Sequence, residues 1–375
     1  MIRIITTCLL LTGFFACNTG NGETQQPEQP SNIIFLIGDG MGLSVVSTSY
    51  YFSDQPSPFD SFNHIGLINT SSATHKITDS AASGTALAAG KKTYNGAIGV
   101  DTSKTEIRNI TEVVSDLGWN TGVVATSSVT HATPASFYAH VEQRGMEEKI
   151  AMQLLDSEID FFAGGGKRFF NKRRDGKDLF SPAEEKGFFI DTTGLHTASV
   201  EADRKYGFVL AEGGMPAMLQ GRGNFLPDAT ELAIEILSGN GNSFFLMVEG
   251  SQIDWAGHAN DAEYLLAEMR DFEDAIRVAL DFAQKNGNTL VVVSADHETG
   301  GATLSAASET MEDSEPNQLA ITFSTGGHSA TLIPVFAYGP GSDLFTGIYQ
   351  NTEIFHRMVR SVGAEEGSSP ENPEN

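Results

Sequence analysis

Apolar runs five to seven residues long recur along the chain, separated by polar or helix-periodic stretches. Ile33–Ile37, His64–Ile68, Thr121–Thr126, Phe244–Val248, Leu290–Ser294 and Leu332–Tyr338 are too short for helices and predict strands. From about Asp261 to Lys285 the pattern changes. Leu265, Met269, Phe272, Ile276, Ala279, Leu280 and Ala283 recur near the helical period and predict a long amphipathic helix. A second helix is predicted over Asp228 to Leu237. Strands apolar throughout, alternating with helices, imply a sheet covered on both faces. The expected fold is therefore α/β: a three-layer αβα sandwich around a doubly wound, mostly parallel sheet. Lys167 to Gly223 is less regular and reads as a peripheral elaboration of the same domain. Its basic run, Lys167-Arg168 and Lys172-Arg173-Arg174, reads as a solvated surface loop in preference to an anion-attracting patch.

The ends have a different texture. Arg3 followed by the apolar Ile4–Phe15 predicts a signal peptide over residues 1–17, too short to span a membrane as a mature helix. Phe14-Phe-Ala-Cys17 resembles a relaxed bacterial lipobox. Cys17 either starts a lipid-anchored mature chain or follows an ordinary cut near Ala16. Residues 18–31 form a polar tether, 32–362 a single domain, and 363–375 an acidic tail expected to be disordered. The only cysteines, Cys8 and Cys17, lie in or beside the leader, so the mature fold is expected to hold no disulfide. Export is expected, to the periplasm or to an outer-membrane anchor.

Acidic residues number 48 and basic residues 23, for a net charge of −25. Such a field repels nucleic acid and anionic membrane surfaces, so neither is expected as a partner. An anionic substrate would need local cations to overturn it, and bound metal provides them.

Ligands of open α/β sheets bind beyond the carboxyl ends of the strands. Here those ends are rich in metal-type donors. Asp39 follows the first strand, and His131 and Thr133 follow the third predicted run. Glu249 follows Val248, and Asp296-His297 follow the Leu290–Ser294 run. His328 lies in a glycine-rich loop before the last core strand. Asp254 and His258 are spaced i, i+4, one face of a helix, where carboxylate and imidazole can share an ion. Each feature alone has a structural explanation, but their coincidence on one sheet edge points to a metal centre. Histidines and carboxylates without cysteine suit zinc, and Thr and Glu oxygens suit magnesium. His64, His75, His140, His196 and His356 match no ligand spacing. Thr78-Asp79-Ser80 opens a run of small residues ending at Gly90. Ser80 there is either part of a close-packed helix start, capped by Asp79 or by itself, or a nucleophile at a helix N-terminus.

Gly38-Asp-Gly-Met-Gly42, Thr78-Asp-Ser-Ala-Ala-Ser83, His131-Ala-Thr-Pro-Ala135 with Arg144 beyond it, Glu249 through His258, Ala295-Asp-His-Glu-Thr-Gly-Gly301 and Thr325-Gly-Gly-His-Ser329 together resemble the alkaline phosphatases, in family order. The resemblance implies hydrolysis of small phosphate monoesters through a phosphoserine on Ser80, with two zinc ions and one magnesium. It implies that Asp254, His258 and His328 hold one zinc, and that Asp39, Asp296 and His297 hold the other beside Ser80. Asp39, Thr133 and Glu249 would face the magnesium, and Arg144 would grip phosphate through its planar fork. A homodimer is expected on the same ground. The chain departs from the common bacterial type near the third metal, with His131 and Trp255 in place of Asp and Lys. Gly301 to Thr325 is a short connection, so no crown domain is expected. The alternatives are a phosphodiesterase of the same superfamily and a non-catalytic, lipid-anchored binder of zinc or phosphate.

Overall fold

The computed structural model describes residues 29–364 except 197–200, 202–203, 240 and 308–317. The leader and nearly all of the tether and tail fall outside the described residues. Fourteen strands follow in chain order: β1 Asn32–Gly38, β2 His64–Asn69, β3 Asn120–Ser128, β4 Phe161–Gly165, β5 Phe188–Asp191, β6 Lys205–Ala211, β7 Phe244–Gly250, β8 Thr289–Ser294, β9 Glu298–Thr299, β10 Thr303–Ala306, β11 Leu319–Thr322, β12 His328–Ser329, β13 Ile333–Tyr338 and β14 Gly347–Gln350. Ten of them form one sheet in the order β14-β2-β13-β8-β1-β7-β3-β4-β6-β5. Only β13 runs against the rest. Every residue of β1, β7 and β8 is buried, as the uninterrupted apolar runs require of strands covered on both faces.

Helices flank the sheet. Phe225–Ser238 and Ala262–Asn286 pack on each other and on the central strands, and Ser80–Ala89 packs against Thr352–Ser361. The long helix is capped by Asp261, whose carboxylate accepts from the Tyr264 N–H, and ends at Gly287 with φ +76°. The shorter one starts three residues before the predicted Asp228, because Phe225 and Leu226 are also buried in the core.

The stretch from Lys167 to Gly223 supplies β5 and β6, the two outermost strands at one end of the main sheet, so it extends that sheet at its periphery. Its basic residues are taken up locally: Arg173 pairs with Asp175, Lys172 with Glu212, and Lys167 donates to the Thr192 carbonyl. Among its described residues the connection after Gly301 holds the β10–β11 hairpin and no crown domain.

Register sets up the chemistry. β1 pairs in parallel with β7, Gly38 opposite Gly250, and with β8, Ile37 opposite Ser294. β3 pairs with β7, Ala125 opposite Glu249. Asp39, Glu249, Ser127 and Asp296 therefore emerge together at one edge of the sheet.

Candidate active site

The helix Gln252–Ala259 follows directly from β7 and carries Asp254 and His258 on one face. β12 pairs with β9, which places His328 opposite Thr299 and swings its ring over the same spot. His258 Nε2 and His328 Nε2 lie 3.2 Å apart, and 3.4 and 3.6 Å from Asp254 Oδ1. Both Nδ1 atoms face backbone carbonyls, His258 that of Gly326 at 2.8 Å and His328 that of Thr78 at 2.9 Å. A carbonyl only accepts, so each ring keeps a proton on Nδ1, and Nε2 is the atom left to offer a lone pair inward. Two such lone pairs and a carboxylate oxygen facing one point suit a cation.

A second group lies beside the first. His297 Nε2 is 3.1 Å from Asp296 Oδ2, 3.5 Å from Asp39 Oδ1 and 3.3 Å from Ser80 Oγ. The His297 ring stacks on that of His328, with centroids 3.5 Å apart, so the two groups share a wall. Asp39, His131 and Glu249 bring donor atoms close enough for a third ion, and the Thr133 side chain lies against Glu249. Ser127 and Ser251 both donate to Glu249 Oε2, at 3.2 and 2.5 Å, which leaves Oε1 to face inward.

Ser80 opens the helix Ser80–Ala89, every residue of which is buried. Asp79 caps it, accepting from the Ala82 N–H at 3.0 Å. The run of small residues allows close packing: a Cβ on Gly84 would meet Ser136 Oγ at 2.8 Å. The Ser83 hydroxyl donates to the Asp296 carbonyl at 2.6 Å, tying the Ser80–Ala89 helix to the β8 end. Arg144 projects toward Ser80's neighbour: its Nη1 donates to Asp79 Oδ2 at 3.1 Å and its Nη2 to His131 Nε2 at 3.2 Å. Its own N–H is anchored on the Gly96 carbonyl at 2.7 Å. Trp255 meets the edge of the His131 ring, 6.3 Å between centroids, and is seated against Gly214. The structure thus gathers Asp39, Ser80, His131, Thr133, Arg144, Glu249, Asp254, Trp255, His258, Asp296, His297 and His328 at one edge. His64, His75, His140 and His196 make their hydrogen bonds elsewhere, with Ser342, Thr74, Gly99 and Asp191.

The electrostatics show what this basin lacks. Burial, together with the charges of Asp296, Asp254 and Glu249, pushes the Asp39 carboxyl well above the usual range. Burial lifts Asp296 as well and pushes Glu249 up to about 7. Burial holds His297 and His131 neutral, pushed down to about 3. Thirteen buried side-chain polar atoms have no hydrogen-bond partner among the described residues. Six of them are here: both Asp39 oxygens, Thr133 Oγ1, Glu249 Oε1, Asp296 Oδ2 and His131 Nδ1. Buried donors and acceptors are costly when unpaired, and divalent cations would satisfy these oxygens and restore the carboxylates to their ionised form. The donor set fits such ions.

Several contributors escaped the reading of the sequence. Asp79, which holds Arg144, stood there only as a cap. Ser127 and Ser251 carry no motif of their own. The Thr78 and Gly326 carbonyls are backbone groups that every residue has, and Thr299 showed only as part of a longer match.

A serine at the nose of a buried helix, an arginine fork beside it and clustered oxygen and nitrogen donors mark the molecule as a metal-dependent hydrolase. The sequence model for alkaline phosphatase matches residues 30–314. Alkaline phosphatase 3 of Bacillus subtilis is 34% identical over 89% of each chain. The alkaline phosphatase of the Antarctic bacterium TAB5 superposes with a TM-score of 0.88 at 54% identity, covering 91% of this chain and 100% of that one. A histidine-to-aspartate mutant of the TAB5 enzyme, solved with Mg bound in its M3 site, also superposes at 0.88, with 53% identity and the same coverage. The chain belongs to the alkaline phosphatase family, and it is a phosphomonoester hydrolase that uses divalent metal.

Proposed function

We propose that the chain hydrolyses small phosphate monoesters through a phosphoserine on Ser80, with two zinc ions and one magnesium in the basin. The carrying observation is the position of Ser80 Oγ, at a helix N-terminus and 3.3 Å from His297 Nε2. Asp254, His258 and His328 hold one zinc, and Asp39, Asp296 and His297 the other. Asp39, Glu249 and Thr133 hold the magnesium, with His131 close by. The bound cations supply the positive charge that eases loss of the serine proton and offsets charge on the phosphoryl oxygens. Arg144 takes two phosphoryl oxygens with its fork and so sets the phosphorus in front of Ser80. Ser80 Oγ bonds to phosphorus as the bond to the departing alcohol oxygen breaks. Water then cleaves the phosphoserine and frees phosphate. The dipole of the Ser80–Ala89 helix favours negative charge at this end throughout.

The remaining features of this reading are an exported chain, a leader removed at or before Cys17 that leaves Cys17 open to lipid attachment, and a homodimer. Intact mass of the membrane-extracted protein tests the first two, and sedimentation tests the third. The central test is metal content by mass spectrometry with p-nitrophenyl phosphate turnover before and after chelation. Two zinc and one magnesium per chain are expected, with activity lost to chelator and regained with zinc. Ser80→Ala is expected to lose most of the turnover while keeping its metal. Retained turnover in that variant overturns the serine mechanism, and preference for bis-p-nitrophenyl phosphate overturns the substrate class.

A further inference from the structure

Thr299 stands between the two groups of histidines and carboxylates and touches both. It is buried, with 1% of its surface exposed. Its Oγ1 lies 2.5 Å from Asp254 Oδ1 and 3.2 Å from His297 Nδ1. A hydroxyl has one proton. The Asp254 carboxylate only accepts, so the proton points there, and toward His297 the same oxygen is an acceptor. His297 must then carry its proton on Nδ1, which leaves the Nε2 lone pair facing Asp39, Asp296 and Ser80.

The backbone makes room for this side chain from two directions. Gly40 has φ +75°, and a Cβ there would meet Thr299 Oγ1 at 2.8 Å and Asp254 Cα at 2.9 Å. A Cβ on Gly257 would meet Thr299 Cγ2 and Cβ at 3.1 Å. The Thr299 N–H donates to the Gly40 carbonyl at 3.1 Å, so the residue is pinned by its main chain as well. Cleared space on both flanks and a single shared hydroxyl are more than packing needs.

We propose that Thr299 is a positioning residue that couples the two zinc groups: its hydroxyl fixes the tautomer of His297 and the orientation of Asp254 together. This rests on the reading that Asp254 and His297 hold cations. It differs from that reading in its consequence, because removing one hydroxyl that ligates nothing weakens both groups at once.

The test uses the full metal-bound protein with Thr299→Val, which keeps the shape and loses the hydroxyl, and Thr299→Ser, which keeps the hydroxyl. Zinc affinity is read by competition with chelators of graded strength. Loss of an orienting partner typically weakens metal binding by about 10- to 100-fold, and that loss is expected at both zinc positions in Thr299→Val. Thr299→Ser is expected to stay near wild type. In spectra of protein labelled with 15N-histidine, a slowly exchanging Nδ1–H of His297 is expected in wild type and Thr299→Ser, and fast exchange in Thr299→Val. Unchanged zinc affinity in Thr299→Val overturns the proposal. So does a wild-type His297 protonated at Nε2, a result that stands even if the valine variant does not fold. A wild-type chain that binds no zinc would instead remove the functional reading beneath it.

Discussion

Asp79 and Arg144 meet at 3.1 Å, and the same carboxylate caps the helix that Ser80 opens. One side chain thus ties the start of the Ser80 helix to the guanidinium of Arg144, the proposed nucleophile to the proposed phosphate grip. Asp79 Oδ1 also accepts from the Gly96 N–H at 3.1 Å, and the Gly96 carbonyl accepts from the Arg144 N–H. Asp79→Ala should therefore do two separable things. Loss of the cap should cost about 1 kcal/mol of stability, within the usual range for capping side chains. The freed guanidinium should lose its fixed fork, raising KM and the inhibition constant of inorganic phosphate several-fold, on the order of 1 kcal/mol. Asp79→Asn can still cap and should recover most of the stability. A drop in melting temperature with unchanged phosphate inhibition would show that Arg144 is held without Asp79.

Away from the site, Arg222 is shared by Glu268 and Asp271, with all three side chains buried. One positive charge faces two negative ones. Burial, only partly countered by Arg222, pushes the Asp271 carboxyl up to about 6. The folded protein therefore keeps a proton on Asp271 at pH values where the unfolded chain has released it. This contribution to stability is present at low pH and falls away as pH rises from about 4 through about 6. Asp271→Asn should flatten the stability curve in that window relative to wild type, as read by urea denaturation at several pH values. Arg222→Met should cost roughly 3–5 kcal/mol, because it strands two buried carboxylates. Parallel wild-type and Asp271→Asn curves would show that Asp271 stays ionised throughout.

Legibility in the sequence followed the kind of group involved. β1, β7 and β8 announced themselves because strands buried on both faces must be apolar throughout. β4 and β6 did not. Phe161-Phe-Ala-Gly-Gly165 is short and ends in glycines, and Lys205–Ala211 is broken by Gly207, which makes way for the Phe162 ring. At the site, the residues with metal-type side chains were readable because few residue types can serve. Their orienting partners were not. The Thr78 and Gly326 carbonyls exist in any sequence, and Thr299 is one threonine among many until strand pairing sets it opposite His328. What lay beyond reach was the three-dimensional proton count, which needs distances.

The basin also predicts how stability depends on metal. Among the described residues, Asp39, Glu249, Asp254 and Asp296 form no ion pair with lysine or arginine; the ion-pair partners of Asp39, Asp254 and Asp296 are histidines, and Glu249 is in no ion pair. Ions bound there stabilise only the folded state. A hundredfold excess of free metal over its dissociation constant contributes about 2.7 kcal/mol. Chelation should lower the melting temperature by several degrees, and zinc should restore it. Calorimetry with and without chelator checks this, and an unchanged transition would mean that the basin folds equally well without cations.

His131 poses the sharpest question about the proposed magnesium position. Its Nε2 accepts from Arg144 at 3.2 Å, which puts the ring proton on Nδ1, and Nδ1 is buried without a partner. Burial, aided by the Arg144 charge, keeps the ring from taking a second proton. A ring in this state has no lone pair on Nδ1 to offer an ion, and its Nε2 lone pair is already engaged. To act as a ligand, His131 must surrender the Arg144 contact. An aspartate at 131 would instead add a hard oxygen beside Asp39 and Glu249, the donor type that magnesium favours. His131→Asp should therefore tighten magnesium binding about tenfold or more and make turnover respond to added magnesium, following the preference of hard cations for oxygen ligands. It also gives Arg144 a charged partner in place of a neutral one, so phosphate inhibition should weaken. Magnesium titrations followed by calorimetry and by turnover decide it. Equal magnesium affinity in the two proteins would mean that His131 does not limit that site.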